Sequence, residues 1–219
     1  MKRQAHRIME AYYREQAGAY DRIYRIPAWQ EDLAWLRHWV ARLVSERTVL
    51  EIAAGTGYWT EVAAPAATSI LACDLNAEPL DVAAKRGMGP NASFLLADAY
   101  ALPDGLGRFD VMMAHFWWSH VLRQTREDFL VQVRTHLKPG GLLLMIDQSE
   151  TEAFYHPASR WDAEGNRYEM RRVAGRGTFE IVKNYPDDRE LHDSMACLGA
   201  EVRIMRLRHL WALSARVPH

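Results

Sequence analysis

The run Thr48 to Ala64, TVLEIAAGTGYWTEVAA, constrains the fold of this chain more than any other stretch. It begins as a buried strand on Val49, Leu50 and Ile52, passes through small residues, and resumes with helical spacing at Tyr58. An apolar run that breaks into Gly-Thr-Gly and re-forms as a helix reads as the first β-turn-α of a nucleotide-binding α/β domain. Gly55 and Gly57 lack a Cβ, so the backbone can turn sharply and a ligand can lie almost against it. The free N–H groups at the start of the helix then face whatever sits over the turn. Thr60 stands where the dinucleotide pattern has its third glycine, and no lysine is near enough for a phosphate-cradling loop. An acid on the strand, Glu51, precedes the turn instead.

Further strands end on residues with chemistry. Ser69 to Asp74 is a short apolar run closing on Asp74, whose two carboxylate oxygens match the vicinal hydroxyls of a ribose. Ala92 to Ala97 gives a third strand with Asp98 at its end, placed either for a ligand or as a turn cap. Phe109 to Phe116 is apolar enough for the centre of a sheet, and it runs into His115-Phe116-Trp117-Trp118-Ser119-His120. In open α/β sheets ligands bind at the C-terminal edges of the strands, which makes His115 and His120 candidate proton-transfer groups and Trp117 and Trp118 candidate pocket walls. Helical spacing covers Met1–Gln16, Trp29–Glu46, Glu78–Arg86, Arg126–Leu137 and Pro186–Leu198. The stretch Glu150–Gly177 is polar, without sustained apolar period, and reads as a long functional loop or lid. Thr178–Tyr185 alternates as a strand, taken as the sixth, and Ala200–Val217 reads as one final strand or a hairpin-like pair.

A length of 219 residues fits one α/β domain, and a net charge of -1 gives no sign of a nucleic-acid or membrane partner. Cys73 and Cys197 stand far apart with no Cys-x-x-Cys, so neither a zinc site nor a disulfide scaffold is indicated. With no secretory signal and no bilayer-length apolar run, a cytoplasmic protein, monomeric or homodimeric, is the expectation.

The pattern Glu51-x-Ala53-x-Gly55-x-Gly57 resembles the first motif of the class I S-adenosylmethionine (SAM) methyltransferases, with Ala53 in place of a glycine. The Leu-Lys-Pro-Gly-Gly run at Leu137–Gly141 is similar to a second landmark of that family. The resemblance implies a Rossmann-like, doubly wound, seven-stranded sheet of order 3-2-1-4-5-7-6, strand 7 antiparallel, under an N-terminal helical lid. It implies one domain over 1–219, made of a cap (1–46), a SAM-binding core (47–149), a substrate lid (150–177) and C-terminal strands (178–219). SAM is the implied cofactor, leaving as S-adenosylhomocysteine. Its implied contacts are Tyr13, Tyr20, Glu51, Ala53, Gly55, Gly57, Trp59, Asp74, Leu75, Asp98, Ala99 and His115. Asp98 and the Ala99 amide would take the adenine; Tyr13 and Tyr20 serve equally well as packing residues.

Within that family, EIAAGTGYWT, AHFWWSHV, Arg171-Arg172 and Ile181-Val182-Lys183 resemble the phosphonate O-methyltransferases of the dehydrophos pathway. This implies that Arg171 and Lys183 bind an anionic small-molecule acceptor, although the same residues could form a solvated basic surface. Three readings follow. One is O-methylation of a small acid, a carboxylate or phosphonate, needing no general base. Another is methylation of a neutral hydroxyl, amine or carbon with His115 or His120 as base. The last is a SAM-binding protein without turnover.

Overall fold

The computed structural model describes residues 2–219, with side chains from residue 7 onward. Its centre is a seven-stranded sheet built from β1 (Thr48–Ile52), β2 (Ser69–Asp74), β3 (Ala92–Leu96), β4 (Phe109–His115), β5 (Leu137–Gln148), β9 (Glu201–Arg206) and β10 (Leu210–Arg216). The order is β3-β2-β1-β4-β5-β10-β9, and β10 runs antiparallel to both neighbours. This is the expected 3-2-1-4-5-7-6 arrangement.

The alternation of side chains along the strands gives the sheet two apolar faces. On one, Val49, Val111, Met113, Leu144 and Ile146 pack against α2 (Gln30–Val44) through Leu33, Leu36 and Val40, and against α3 (Tyr58–Ala63) through Trp59. On the other, Leu50, Met112, Leu143, Met145 and Leu213 meet Phe129 and Val133 of α5 (Arg126–His136). The same face receives Leu191 and Met195 of α6 (Asp188–Met195). Most of these side chains are fully buried, each stabilising the fold by about 1.5–3 kcal/mol relative to exposure. α4 (Ala77–Ala84) completes the β2–β3 crossover.

Three expectations are corrected. The polar stretch 150–177 is not a structureless loop. After a 3-10 turn it forms β6 (Arg160–Trp161) and β7 (Arg167–Val173), which join β8 (Gly177–Val182) in a separate antiparallel sheet of order β6-β7-β8. It follows that β8 is not the sixth strand of the main sheet, a place taken by β9. Its inward face lacked an apolar period because it buries charges: Glu169 pairs with Arg167 and Arg171. Finally, Lys138-Pro139-Gly140-Gly141 does not separate α5 from a strand at Leu142. It lies inside β5, where the register against β4 jumps from Phe109↔Leu137 to Val111↔Leu142, so the glycines form a bulge.

The N-terminal helix α1 (Lys2–Gln16) packs on β7, β8 and α4, with the Tyr12 ring edge-on to Phe179. A 3-10 segment, Tyr20–Arg25, follows it. Arg86 ties this segment down by pairing with Asp21 and Glu61 while donating to the Thr56 carbonyl, and the Thr56 hydroxyl donates to Asp21. Among the described residues no helix is long and apolar enough to cross a membrane.

Candidate active site

The C-terminal ends of β1 to β4 open beneath α1 into one chamber of about 300 Å³, at the lower end of the range for small-ligand sites. The glycine turn forms its floor. Ala53, Gly55 and Gly57 all have positive φ, at 52°, 56° and 79°, so the backbone folds tightly before α3 starts. Ala53 holds a left-handed conformation that costs a residue with a Cβ about 1–2 kcal/mol, which gives a physical reason for glycine at this place in the motif. The two glycines have different neighbours. A Cβ on Gly55 would meet open space, whereas one on Gly57 would lie 2.7 Å from both the Ala83 Cβ and the Met88 Cε. Gly55 is therefore the residue that leaves room for a ligand. Gly57 is needed for packing against α4, and it does not line the chamber, contrary to expectation.

Acids line one end. Asp74 accepts the Gly55 amide at 2.9 Å on one oxygen and the Asn76 amide at 2.9 Å on the other. Each oxygen keeps a lone pair for a further donor. Asp98 accepts the Tyr100 amide at 2.9 Å, so it caps its turn and still faces the chamber. Glu51 is buried under the turn, and its carboxyl accepts the Thr60 hydroxyl at 2.6 Å. Burial pushes its pKa up to about 8, against the smaller lowering effect of that hydrogen bond.

The other end is aromatic. Tyr13, Tyr20, Tyr24, Trp59, His115, Phe116, Trp117 and His120 wall it. Neither ring nitrogen of His115 has a hydrogen-bond partner, nor do the indole N–H groups of Trp59 and Trp117, although all these atoms are buried. Burial pushes the His115 pKa down to about 3, leaving a neutral imidazole. His120 is also neutral near pH 7, since burial and then the Lys183 ammonium push its pKa down to about 3. Its Nδ1 lies 2.7 Å from the Val182 carbonyl and its Nε2 2.6 Å from the Tyr13 hydroxyl.

Three expected acceptor contacts do not reach this chamber. Trp118 is fully buried in the core beside Phe129, whereas Trp117, which also meets Phe129, stays half-buried at the chamber wall. Lys183 lies behind His120, 3.2 Å from the Asp147 carboxylate and 2.7 Å from the Ser119 hydroxyl. Burial alone would raise the Asp147 pKa, but the Lys183 ammonium beside it and the Ser119 and Gln148 amides hold it below its usual range. Arg171 ends on Glu169 at 2.5 Å. The clamp expected of Arg171 and Lys183 is thus engaged by the protein's own carboxylates. All the expected cofactor contacts apart from Gly57 line the chamber. Sequence reasoning missed Tyr24 and Phe116. The latter takes φ 53° at the end of β4, a strain invisible in sequence; Tyr24 follows Tyr20 at helical spacing, a signal that could have found it.

An acid-lined end beside an uncrowded Gly55, joined to a buried wall of orphaned donors and neutral imidazoles, fits a ligand with a diol, an amine-bearing ring and positive charge. A family described as "Methyltransferase domain" matches residues 49–141. Solved DhpI in complex with SAM and HEP superposes with a TM-score of 0.80 at 26% identity, over 97% of both chains. In sequence and in fold the chain is similar to the class I SAM-dependent methyltransferases. Glu51, Asp74 and Asp98 line the chamber with carboxyl groups whose chemistry fits SAM. The ubiquinone/menaquinone biosynthesis C-methyltransferase UbiE of Azotobacter vinelandii is 31% identical over 176 residues, which cover 70% of this chain and 65% of UbiE. The chain therefore spans just under two thirds of that relative's length. The 1,6-didemethyltoxoflavin-N1-methyltransferase of Burkholderia thailandensis shares the fold, with a TM-score of 0.71 at 15% identity over 100% of this chain and 91% of that one.

Proposed function

We propose that this protein transfers the SAM methyl group to a small molecule held at the aromatic end of the chamber. The observation that carries this reading is the continuity of one enclosed space from Asp74 and Asp98 to Tyr13, His115, Trp117 and His120. When bound, SAM supplies an activated methyl group on a sulfonium. The residues of the chain orient the two reactants and exclude water, which is where most of the rate of such a displacement originates. Glu51, Asp74, Asp98 and the Gly55 backbone hold the cofactor in this proposal. The aromatic rings shape the acceptor's place. A cytoplasmic location belongs to the same reading, supported by two unpaired cysteines.

For the acceptor, O-methylation of a small acid is supported by the whole-length similarity to DhpI and by charge. Behind the Tyr13–His120 wall, three cations (Arg167, Arg171 and Lys183) are ion-paired to only two carboxylates, Glu169 and Asp147. An anion close by would be favoured by that excess. A second reading, a neutral acceptor bearing a hydroxyl or N–H, is favoured by a different observation: neither Arg171 nor Lys183 lines the chamber. Turnover against a panel of phosphonic acids, carboxylic acids, phenols and N-heterocycles, followed by S-adenosylhomocysteine release, tests both. Turnover of acids with a KM that rises about tenfold or more in Lys183→Ala supports the first; turnover of phenols or N-heterocycles alone supports the second. Failure to bind SAM by calorimetry would overturn the methyltransferase reading altogether.

A further inference from the structure

His120 is locked in one tautomer by its surroundings. The Val182 carbonyl can only accept, so Nδ1 carries the proton and donates at 2.7 Å. In a neutral imidazole Nε2 must then accept, and its partner at 2.6 Å is the Tyr13 hydroxyl, which therefore donates. With its proton committed to His120, the Tyr13 oxygen has only lone pairs to offer the chamber it lines. A deprotonated oxygen placed there would face lone pairs alone, whereas an O–H or N–H would find an acceptor.

We propose that Tyr13 and His120 form a proton relay, and that the acceptor carries a proton on the atom that is methylated. This rests on the methyl-transfer reading and deepens it. As the acceptor atom bonds to the methyl carbon, the carbon–sulfur bond breaks and its electron pair stays on sulfur. The acceptor's proton passes to the Tyr13 oxygen and the Tyr13 proton to His120 Nε2, leaving an imidazolium. The positive charge lost at sulfur thus reappears on His120, and the net charge of the site is conserved. The groups facing His120 are Tyr13 from α1, Asp147 from β5, Arg171 from β7 and Lys183 after β8. Of these, the Lys183 ammonium and Arg171 oppose the imidazolium and the Asp147 carboxylate favours it, as does the Val182 carbonyl. Tyr13 touches the acceptor in this scheme, and His120 acts through it. The acceptors admitted are a hydroxyl, an N–H, or a dibasic oxyacid in its monoprotonated form; a carboxylate is excluded.

Two measurements decide the point. The first is 15N NMR of the imidazole groups in protein loaded with S-adenosylhomocysteine, with His120→Gln used for assignment. The relay requires the Nδ1–H tautomer with Nε2 unprotonated at pH 7. A protonated Nε2 would make Tyr13 the acceptor and overturn the proposal without any substrate. The second is Tyr13→Phe with the acceptor turned over in the panel above. General-base help is typically 10²–10⁴-fold, so kcat should fall by about a hundredfold or more, a loss far larger than any change in SAM affinity read by calorimetry. Unchanged kcat, or turnover confined to carboxylates, would also overturn it. If no compound in the panel is methylated, the methyl-transfer reading fails while the tautomer still tests the relay.

Discussion

Replacing Glu51 by glutamine isolates the energetic consequence of burying an acid under the cofactor turn. Glu51 is almost wholly buried, with the Thr60 hydroxyl as its side-chain partner, and its pKa rises from 4.5 to about 8. The folded protein then binds more protons than the unfolded chain between these values, so stability falls as pH rises through that window. A pH of 7 lies about 2.5 units above the unfolded pKa and still below the folded one, so at 1.36 kcal/mol per unit the stability lost by pH 7 is about 3 kcal/mol. A glutamine carbonyl can still accept the Thr60 hydroxyl and carries no titrating proton. Glu51→Gln should therefore flatten the dependence of unfolding free energy on pH between 5 and 8, and should be the more stable protein at pH 8. Urea unfolding at half-unit pH steps reads this out. SAM affinity should move the other way, because a cationic cofactor gains from an ionised Glu51; calorimetry in two buffers of different ionisation enthalpy should show proton release on binding at pH 7 in the wild type and none in the variant. A wild type whose stability is flat from pH 5 to 8, or binding without proton release, would refute this account of Glu51.

Ala53→Gly should relieve the left-handed strain at φ 52°. After the entropy cost of glycine is subtracted, the gain is at most about 1 kcal/mol, seen as an unchanged or slightly higher melting temperature; a clear fall would contradict it. Gly57→Ala forces a Cβ to within 2.7 Å of Ala83 and should cost about 1–3 kcal/mol of stability by overpacking, measured by denaturant titration, more than Gly55→Ala does. Asp74→Ala should weaken SAM binding by about 1–3 kcal/mol in calorimetry. Lys183→Met strands the buried Asp147 carboxylate and should destabilise by about 3–5 kcal/mol, while adding Asp147→Asn to it should restore part of the loss.

The acid-lined half of the chamber was legible because its residues sit near the ends of strands, a position fixed by topology. Asp74 and Asp98 each close a short apolar run, Glu51 stands one residue before the end of its own, and the Gly-Thr-Gly break follows it. The acceptor half was legible only in part. Trp117 and Trp118 are adjacent and chemically identical, yet one lines the chamber and the other is core, a distinction set by a single 3-10 turn. Arg171 and Lys183 read as free cations because their partners, Glu169 and Asp147, are recognisable only after β7 has paired with β8 and both have docked. The same inward ion pairs removed the apolar rhythm by which the small sheet could have been recognised. The difference between Gly55 and Gly57 depends on Ala83, which lies on the helix that follows the next strand.

The chamber has two owners. Its acid end is furnished by loops of the parallel strands, whose side chains also hold the two apolar cores together. Its aromatic end draws on α1, the Tyr20–Arg25 segment and the turn after β4, with the small sheet behind them. Sequence drift in these outlying pieces changes the walls of the chamber while the parallel strands keep their pairing. Related chains can therefore share this sheet while diverging in these pieces, within the limit that Tyr24 and Phe116 also belong to a core cluster.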